Sequence, residues 1–323
     1  MQMGVARIKA SFRRVRWVLS IPVGIVLVIV AVHFPYATDP PTVESQTEVG
    51  AEAERFYEEV YSSAAPTEPR ASDDHSYVQF AQNAGKEQGV EDVVQQFVDQ
   101  YGLANARVLE VGAGSGVLQD IVENYTGLDI AASAARYFHK PFVAGSATDL
   151  PFDDNEFDAV WTIWVLEHVP NPERVMSELR RVTKPGGYIL LWPAWSCKSW
   201  AANGYEVRPY SDFDFTGKIV KASLVVRKNY FYRGIGVISS RILRRLALLS
   251  GQPAQFHYTR LEPNFERYWV ADGDAVNSLD PHEAMLWHQT RGDDCLNCPR
   301  TLDEQLLMRV QHLEIRVNKS PED

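Results

Sequence analysis

Cysteine is scarce. Cys197, Cys295 and Cys298 are the only three in 323 residues, too few for a disulfide scaffold. A positive balance is missing as well: 42 acidic against 32 basic side chains give a formal charge of -10. That argues against a nucleic-acid binder, because phosphate recognition rests on clustered Lys and Arg. No internal repeat is present, which excludes a solenoid, and no G-K-[ST] follows the one glycine-rich stretch, which excludes a P-loop. Two windows lack acidic residues altogether, residues 1–38 and the run from Phe215 to Leu261.

The first of these windows contains the longest apolar run. "WVLSIPVGIVLVIVAVHFPY", residues 17–36, has the length a membrane-spanning helix needs. Arg7, Lys9, Arg13, Arg14 and Arg16 precede it. A cleaved signal peptide shares the basic head and apolar middle, but "FPYATDP" offers a poor A-x-A-like cleavage site, which favours an uncleaved single-pass anchor, with an Arg-rich organelle presequence as a third reading. The basic flank predicts that the N-terminus faces the cytoplasm and the main domain the other side, and the side of the membrane stays open. Residues 1–37 are therefore read as basic flank plus anchor. Residues 38–76, with "DPP", "SSAAPTEP" and "ASDD", read as a polar linker with one helix at 50–62.

From residue 77 the pattern is α/β. Val90, Val93, Val94, Phe97, Val98 and Tyr101 form one helical face that Gly102 stops. "RVLEV" (107–111) reads as a strand, "VLQDIVENY" (117–125) as a helix, and "YTGLDI" (125–130), "FVAG" (142–145) and "FDAVWTIW" (157–164) as further strands. "PERVMSELRRVT" (172–183) is a helix, and "GYILLWPA" (187–194) a fifth strand. Alternating strands and helices imply a parallel sheet with right-handed crossovers.

The ligand of such a sheet sits beyond the carboxyl ends of its strands. There Gly112, Gly114 and Gly116 permit a sharp turn with no Cβ in the way, and Asp129 ends the second strand, where a carboxylate can accept ribose hydroxyls. The spacing is G-x-G-x-G, not the dinucleotide G-x-G-x-x-G, and Glu110 beside the bend suits a cation better than a pyrophosphate. These features, with "VLEVGAGSG", "GLDIA" and "AGSATDLPFDDNEFDAVWTIWVLEHVPNPERVMSELRRVTKPGGYILL" in order, resemble the core of the class I S-adenosylmethionine-dependent methyltransferases, in the branch of quinone and small-molecule enzymes. The resemblance covers residues 107–195. It implies S-adenosyl-L-methionine as cofactor, no metal, and a doubly wound, mostly parallel, seven-stranded Rossmann-like sheet, here joined to an N-terminal transmembrane helix and an inserted cap. By that resemblance Glu110 and the loop Gly112, Ala113, Gly114 and Gly116 hold the methionine part, Asp129 and Ile130 the ribose and one adenine face, and Ala147 and Thr148 line the adenine. Ser146 stands where the family often has Asp; its hydroxyl would accept the adenine amino group more weakly, or Asp149 would take that role. Backbone around Ile163 closes the pocket. His168, just past the fourth strand, is the candidate general base, with a packing role as its competitor.

Residues 77–195 are thus the cofactor-binding core, 196–279 an inserted cap, and 280–323 the last helix and two strands, with Asp280 as N-cap and Pro281 at the first helical position. Cys295 and Cys298 read as ordinary strand cysteines, with a zinc site or a disulfide as alternatives. Within the cap, the helical stretch 235–249 sets Arg241, Arg244 and Arg245 against Ile238, Ile242, Leu246 and Leu249. It reads either as an interfacial membrane helix or grip on an anionic acceptor, or as a helix packing its apolar face on the core. The expected function is methyl transfer, by a membrane-anchored enzyme, to a small-molecule, lipid-linked or glycan acceptor. A non-catalytic subunit that holds a partner through the basic insertion is the alternative.

Overall fold

In the computed structural model the described residues are 22–24, 43–62, 77–266 and 270–319. The expected anchor at 17–36 lies, apart from residues 22–24, outside them; among the described residues no helix is long and apolar enough to cross a membrane. Contacts divide the chain into two compact units, one taking in residues 37–208 and 252–323, the other 1–36 and 209–251.

The larger unit is built on a seven-stranded sheet. Its strands are β1 (Arg107–Val111), β2 (Asn124–Asp129), β3 (Phe142–Ala144), β4 (Phe157–Ile163), β5 (Thr183–Trp192), β6 (Asp294–Cys295) and β7 (Leu313–Arg316), in the order β3-β2-β1-β4-β5-β7-β6. The first five are parallel, and β7 inserts antiparallel between β5 and β6. Strands covered on both faces read as apolar runs; in β1, Val108, Leu109 and Val111 are fully buried.

Three helices precede β1: α1 (Val43–Ser62), α2 (Tyr77–Glu87) and α3 (Val90–Tyr101). The expected face of α3 is buried through Val90, Val94, Phe97 and Val98, and Gly102 ends the helix at φ 67°, its N–H returning to the carbonyls of Val98 and Asp99. After β4 comes α4 (Pro172–Val182), which starts where the Asn171 side chain accepts from the Arg174 N–H and Pro172 takes the first helical position.

Four expectations need correction. Residues 117–123 form turns and bends, not a helix. Only seven residues separate Gly116 from β2, and the Gln119 amide fastens them, donating to the carbonyls of Gly116 and Tyr137 while accepting from the His139 N–H. The segment read as polar linker contains α1, which extends seven residues beyond the expected N-terminal bound and buries Ala53, Phe56 and Tyr61. Cys295 and Cys298 form a disulfide, and only Cys295 lies in a strand. Finally, the second unit takes in only 209–251 of the expected cap, because 196–208 and 252–279 belong with the sheet. There Trp195 pairs with Leu279 in a parallel bridge, just before the helix Pro281–Gln289.

In the smaller unit, α5 (Phe215–Arg227) is capped by Asp214, and α6 (Tyr230–Ala247) by Asn229, whose side chain accepts from the N–H groups of Phe231 and Tyr232. Of the two readings of 235–249, the one that packs Ile242, Leu246 and Leu249 on the core fails. Arg241 is buried, whereas Ile242, Leu246 and Leu249 are exposed.

Candidate functional site

The site is assembled at the carboxyl edge of the parallel strands. The chain leaves β1 through Gly112, Gly114 and Gly116, at φ 75°, 52° and 68°, a region closed to most side chains. The N–H groups of Gly112 and Ala113 both donate to the Leu128 carbonyl, at 2.8 and 2.9 Å, tying the bend to the end of β2. A Cβ on Gly112 would fall 2.1 Å from Val165 Cγ2, and one on Gly114 2.8 Å from the Tyr61 hydroxyl.

Two buried carboxylates flank this cradle. Asp129 Oδ2 accepts from the Gly114 N–H at 2.8 Å and Oδ1 from the Ala131 N–H at 3.0 Å, so one side chain fixes both the loop and its own orientation. Burial raises its pKa, against the pull of those backbone donors. Glu110, in the middle of β1, accepts from the Tyr125 hydroxyl. Burial pushes its pKa up to about 8, the Tyr125 bond opposing.

Strand register brings the other expected residues to the same edge. Asp129 pairs with Ala144, and the Gly145 N–H donates to the Asp129 carbonyl, so the chain runs on from this pairing into Ile130 on one side and into Ser146, Ala147 and Thr148 on the other. The Ser146 hydroxyl bonds Thr148 Oγ1 at 2.8 Å and accepts from the Thr148 N–H; it is occupied by its own turn. Ile163 ends β4 opposite Trp192.

His168 lies in a second buried polar group that the sequence disclosed only in part. Its Nδ1 stands 3.5 Å from Asp274 Oδ2 and its Nε2 3.7 Å from Glu167 Oε1. Burial alone would lower its pKa; the carboxylates of Asp274, Glu167 and Asp272 outweigh it, and the net shift is upward. Glu167 is fully buried, with Oε1 accepting from the Ala194 N–H, and burial raises its pKa to about 7. Trp164, Ser196 and Asp272, all non-glycine, hold positive φ of 55°, 60° and 61° around this group, the kind of local strain that surrounding structure must maintain.

A roof joins the two groups. Tyr57 and Tyr61, one turn apart on α1, point respectively to Asp274, at 2.9 Å, and to Gly114. Tyr77 of α2 also donates to Asp274 Oδ2, and Gln82 donates to the Ser115 hydroxyl in the glycine loop. Glu58 accepts from the Ser133 N–H, and Arg136 donates to the carbonyls of Tyr61 and Ser62. Sequence reasoning missed Tyr57, Tyr61, Tyr77 and Asp274. The i, i+4 tyrosines were a signal for the first two; nothing marked Asp274.

The donor set fits S-adenosylmethionine: a cradle that any Cβ would fill, a carboxylate for an ammonium group, and another for ribose hydroxyls. Sheet order and cradle together resemble the core of the class I S-adenosylmethionine-dependent methyltransferases. Residues 109–191 match the family described as a methyltransferase domain. Among curated proteins, the chain is 33% identical over 103 residues to a sterol 4-C-methyltransferase, strm-1, of Caenorhabditis elegans, covering 27% of this chain and 31% of that one. It is 39% identical over 95 residues to a demethylmenaquinone methyltransferase of Renibacterium salmoninarum (26% and 40%). It is 31% identical over 137 residues to phthiotriol/phenolphthiotriol dimycocerosates methyltransferase 1 of Mycobacterium ulcerans (37% and 51%). The chain thus spans about a third to a half of the length of these relatives.

Proposed function

We propose that this protein is an S-adenosylmethionine-dependent methyltransferase acting on a lipid-like or small-molecule acceptor. The observation that carries this reading is the glycine cradle closed between Glu110 and Asp129. In it, Glu110 and the loop Gly112–Gly116 hold the methionine part, Asp129 the ribose hydroxyls, and Ile130, Ser146, Ala147, Thr148 and Ile163 the adenine. The bound cofactor supplies a methyl group already activated on a sulfonium, so alignment provides much of the rate.

His168 is the group of this chain that moves a proton. Its imidazole, between the carboxylates of Asp274 and Glu167, takes the proton of an acceptor hydroxyl, and those carboxylates stabilise the imidazolium that results. Tyr57 and Tyr77 hold Asp274 in place, and α1 with α2 exclude water. The relatives are named for a sterol, a menaquinone precursor and a mycobacterial lipid, which supports an apolar acceptor. The basic flank and apolar run 17–36 support attachment to a membrane through a single N-terminal span. The retained cradle and both carboxylates favour an enzyme over a partner-holding subunit.

Calorimetric titration of the full chain in detergent with S-adenosylmethionine tests the reading, beside Asp129→Ala. Micromolar binding lost in the variant is the expected result, followed by transfer of labelled methyl to membrane lipid extracts. A folded chain that binds no cofactor would overturn it.

A further inference from the structure

Helix α5 buries Gly217 and Leu224 on one side. On the opposite side Phe215, Ile219, Ala222 and Val226, at i, i+4, i+7 and i+11, form an exposed stripe. Helix α6 repeats the arrangement: Gly236, Ser240 and Arg241 are buried, while Phe231, Ile235, Ile242 and Leu246 line up in the open and Leu249 extends the row. Phe215 and Phe231 are each 78% exposed and Leu249 81%. Most of the exposed large apolar side chains among the described residues fall between 215 and 249. Isolated apolar side chains on a surface are ordinary, but two aligned rows on neighbouring helices mark a surface meant to be covered.

Charge decides what covers it. No acidic residue occurs from Phe215 to Leu261, although the whole chain carries -10. Lys218, Lys221, Arg227, Lys228, Arg233, Arg244 and Arg245 share the two helices and their joint with the apolar rows. On α6, Arg245 falls at the margin of the row on the 3.6-residue period. An apolar stripe on a helix whose polar face carries cations is the pattern of a helix lying in the headgroup region of a bilayer, and a local positive field on an acidic protein selects anionic lipid. We propose that α5 and α6 form a membrane-docking element that seats its apolar rows in the interface of an anionic bilayer. This does not depend on the methyl transfer proposed above.

The test uses the full chain in nanodiscs, so that attachment by the N-terminal segment is the same in every sample. An environment-sensitive fluorophore is placed at Ile219→Cys or Phe231→Cys, with Asp92→Cys on α3 as the control. Discs of phosphatidylcholine are compared with discs containing phosphatidylglycerol, with and without nitroxide-labelled lipid. The expected result is a blue-shifted emission quenched by labelled lipid at 219 and 231 in the anionic discs, weakened by high salt, and absent at 92. Phe231→Ser with Leu246→Ser should abolish the quenching at 219 without altering cofactor binding. Probes that remain water-exposed in both discs overturn the proposal. Equal quenching in both discs overturns its electrostatic part, and shielding that ignores labelled lipid but follows protein concentration assigns the face to a second copy of the chain.

Discussion

The Tyr57 hydroxyl donates to Asp274 Oδ2 across 217 positions of sequence, at 2.9 Å, and the same oxygen stands 3.5 Å from His168 Nδ1. The aspartate thus links the roof to His168. Its charge helps raise the His168 pKa. A general base works deprotonated, so activity should rise with pH through that pKa. Asp274→Asn should move the rising limb to lower pH and reduce turnover. His168→Gln should cost about a hundredfold or more if the acceptor is a hydroxyl, with cofactor affinity unchanged. A pH profile of kcat for the three forms checks this; a limb that stays where it is would remove His168 from the chemistry.

Glu110 makes a separate pH prediction. With a pKa near 8 it is mostly protonated at pH 7 in the cofactor-free chain, and an arriving ammonium group favours its ionised form. Cofactor binding should therefore release up to one proton at neutral pH, and affinity should climb as pH approaches 8 and then level. Glu110→Gln should abolish the release. Calorimetry at pH 7 in buffers of different ionisation enthalpy measures the proton directly.

Two glycines separate backbone strain from collision. Gly102 and Gly112 share a positive φ, yet a Cβ meets nothing within 4 Å at the first and Val165 at 2.1 Å at the second. Gly102→Ala should cost about 1 kcal/mol of stability, and Gly112→Ala about 3 kcal/mol or more. Denaturant unfolding monitored on both variants gives the comparison, and equal losses would mean that Val165 yields freely.

The disulfide between Cys295 and Cys298 leaves Cys197 as the free thiol, buried and with its pKa raised first by burial. Under non-reducing conditions a thiol reagent should find one reactive group, and only after unfolding. Closing so short a loop limits the chain-entropy gain to about 2 kcal/mol, so Cys295→Ser should lower stability modestly and leave the sheet intact.

Much of the sheet could be read from residue pattern because its strands are short apolar runs bounded by glycine and proline, and because Gly112, Glu110 and Asp129 sit where strand ends must converge. The helix expected after Gly116 failed for a local reason: an amphipathic-looking run of seven residues, held by Gln119, has no room to complete two turns. Tyr57 and Asp274 escaped because long-range hydrogen bonds leave no periodicity in the sequence. On α6 the period was correct and the direction was left open, since alternation of apolar and basic residues says which side chains share a face and not which face meets water.

The hydroxyl of Tyr61 lies against Gly114, and the helix that carries it begins at residue 43. A shortened version of the protein that starts after that helix, the obvious cut for discarding the apolar N-terminus, would unroof the cradle. Trimming for solubility and trimming for activity therefore pull in opposite directions: the stretch that leads from the proposed tether is also part of the ceiling over the proposed methyl-donor cradle.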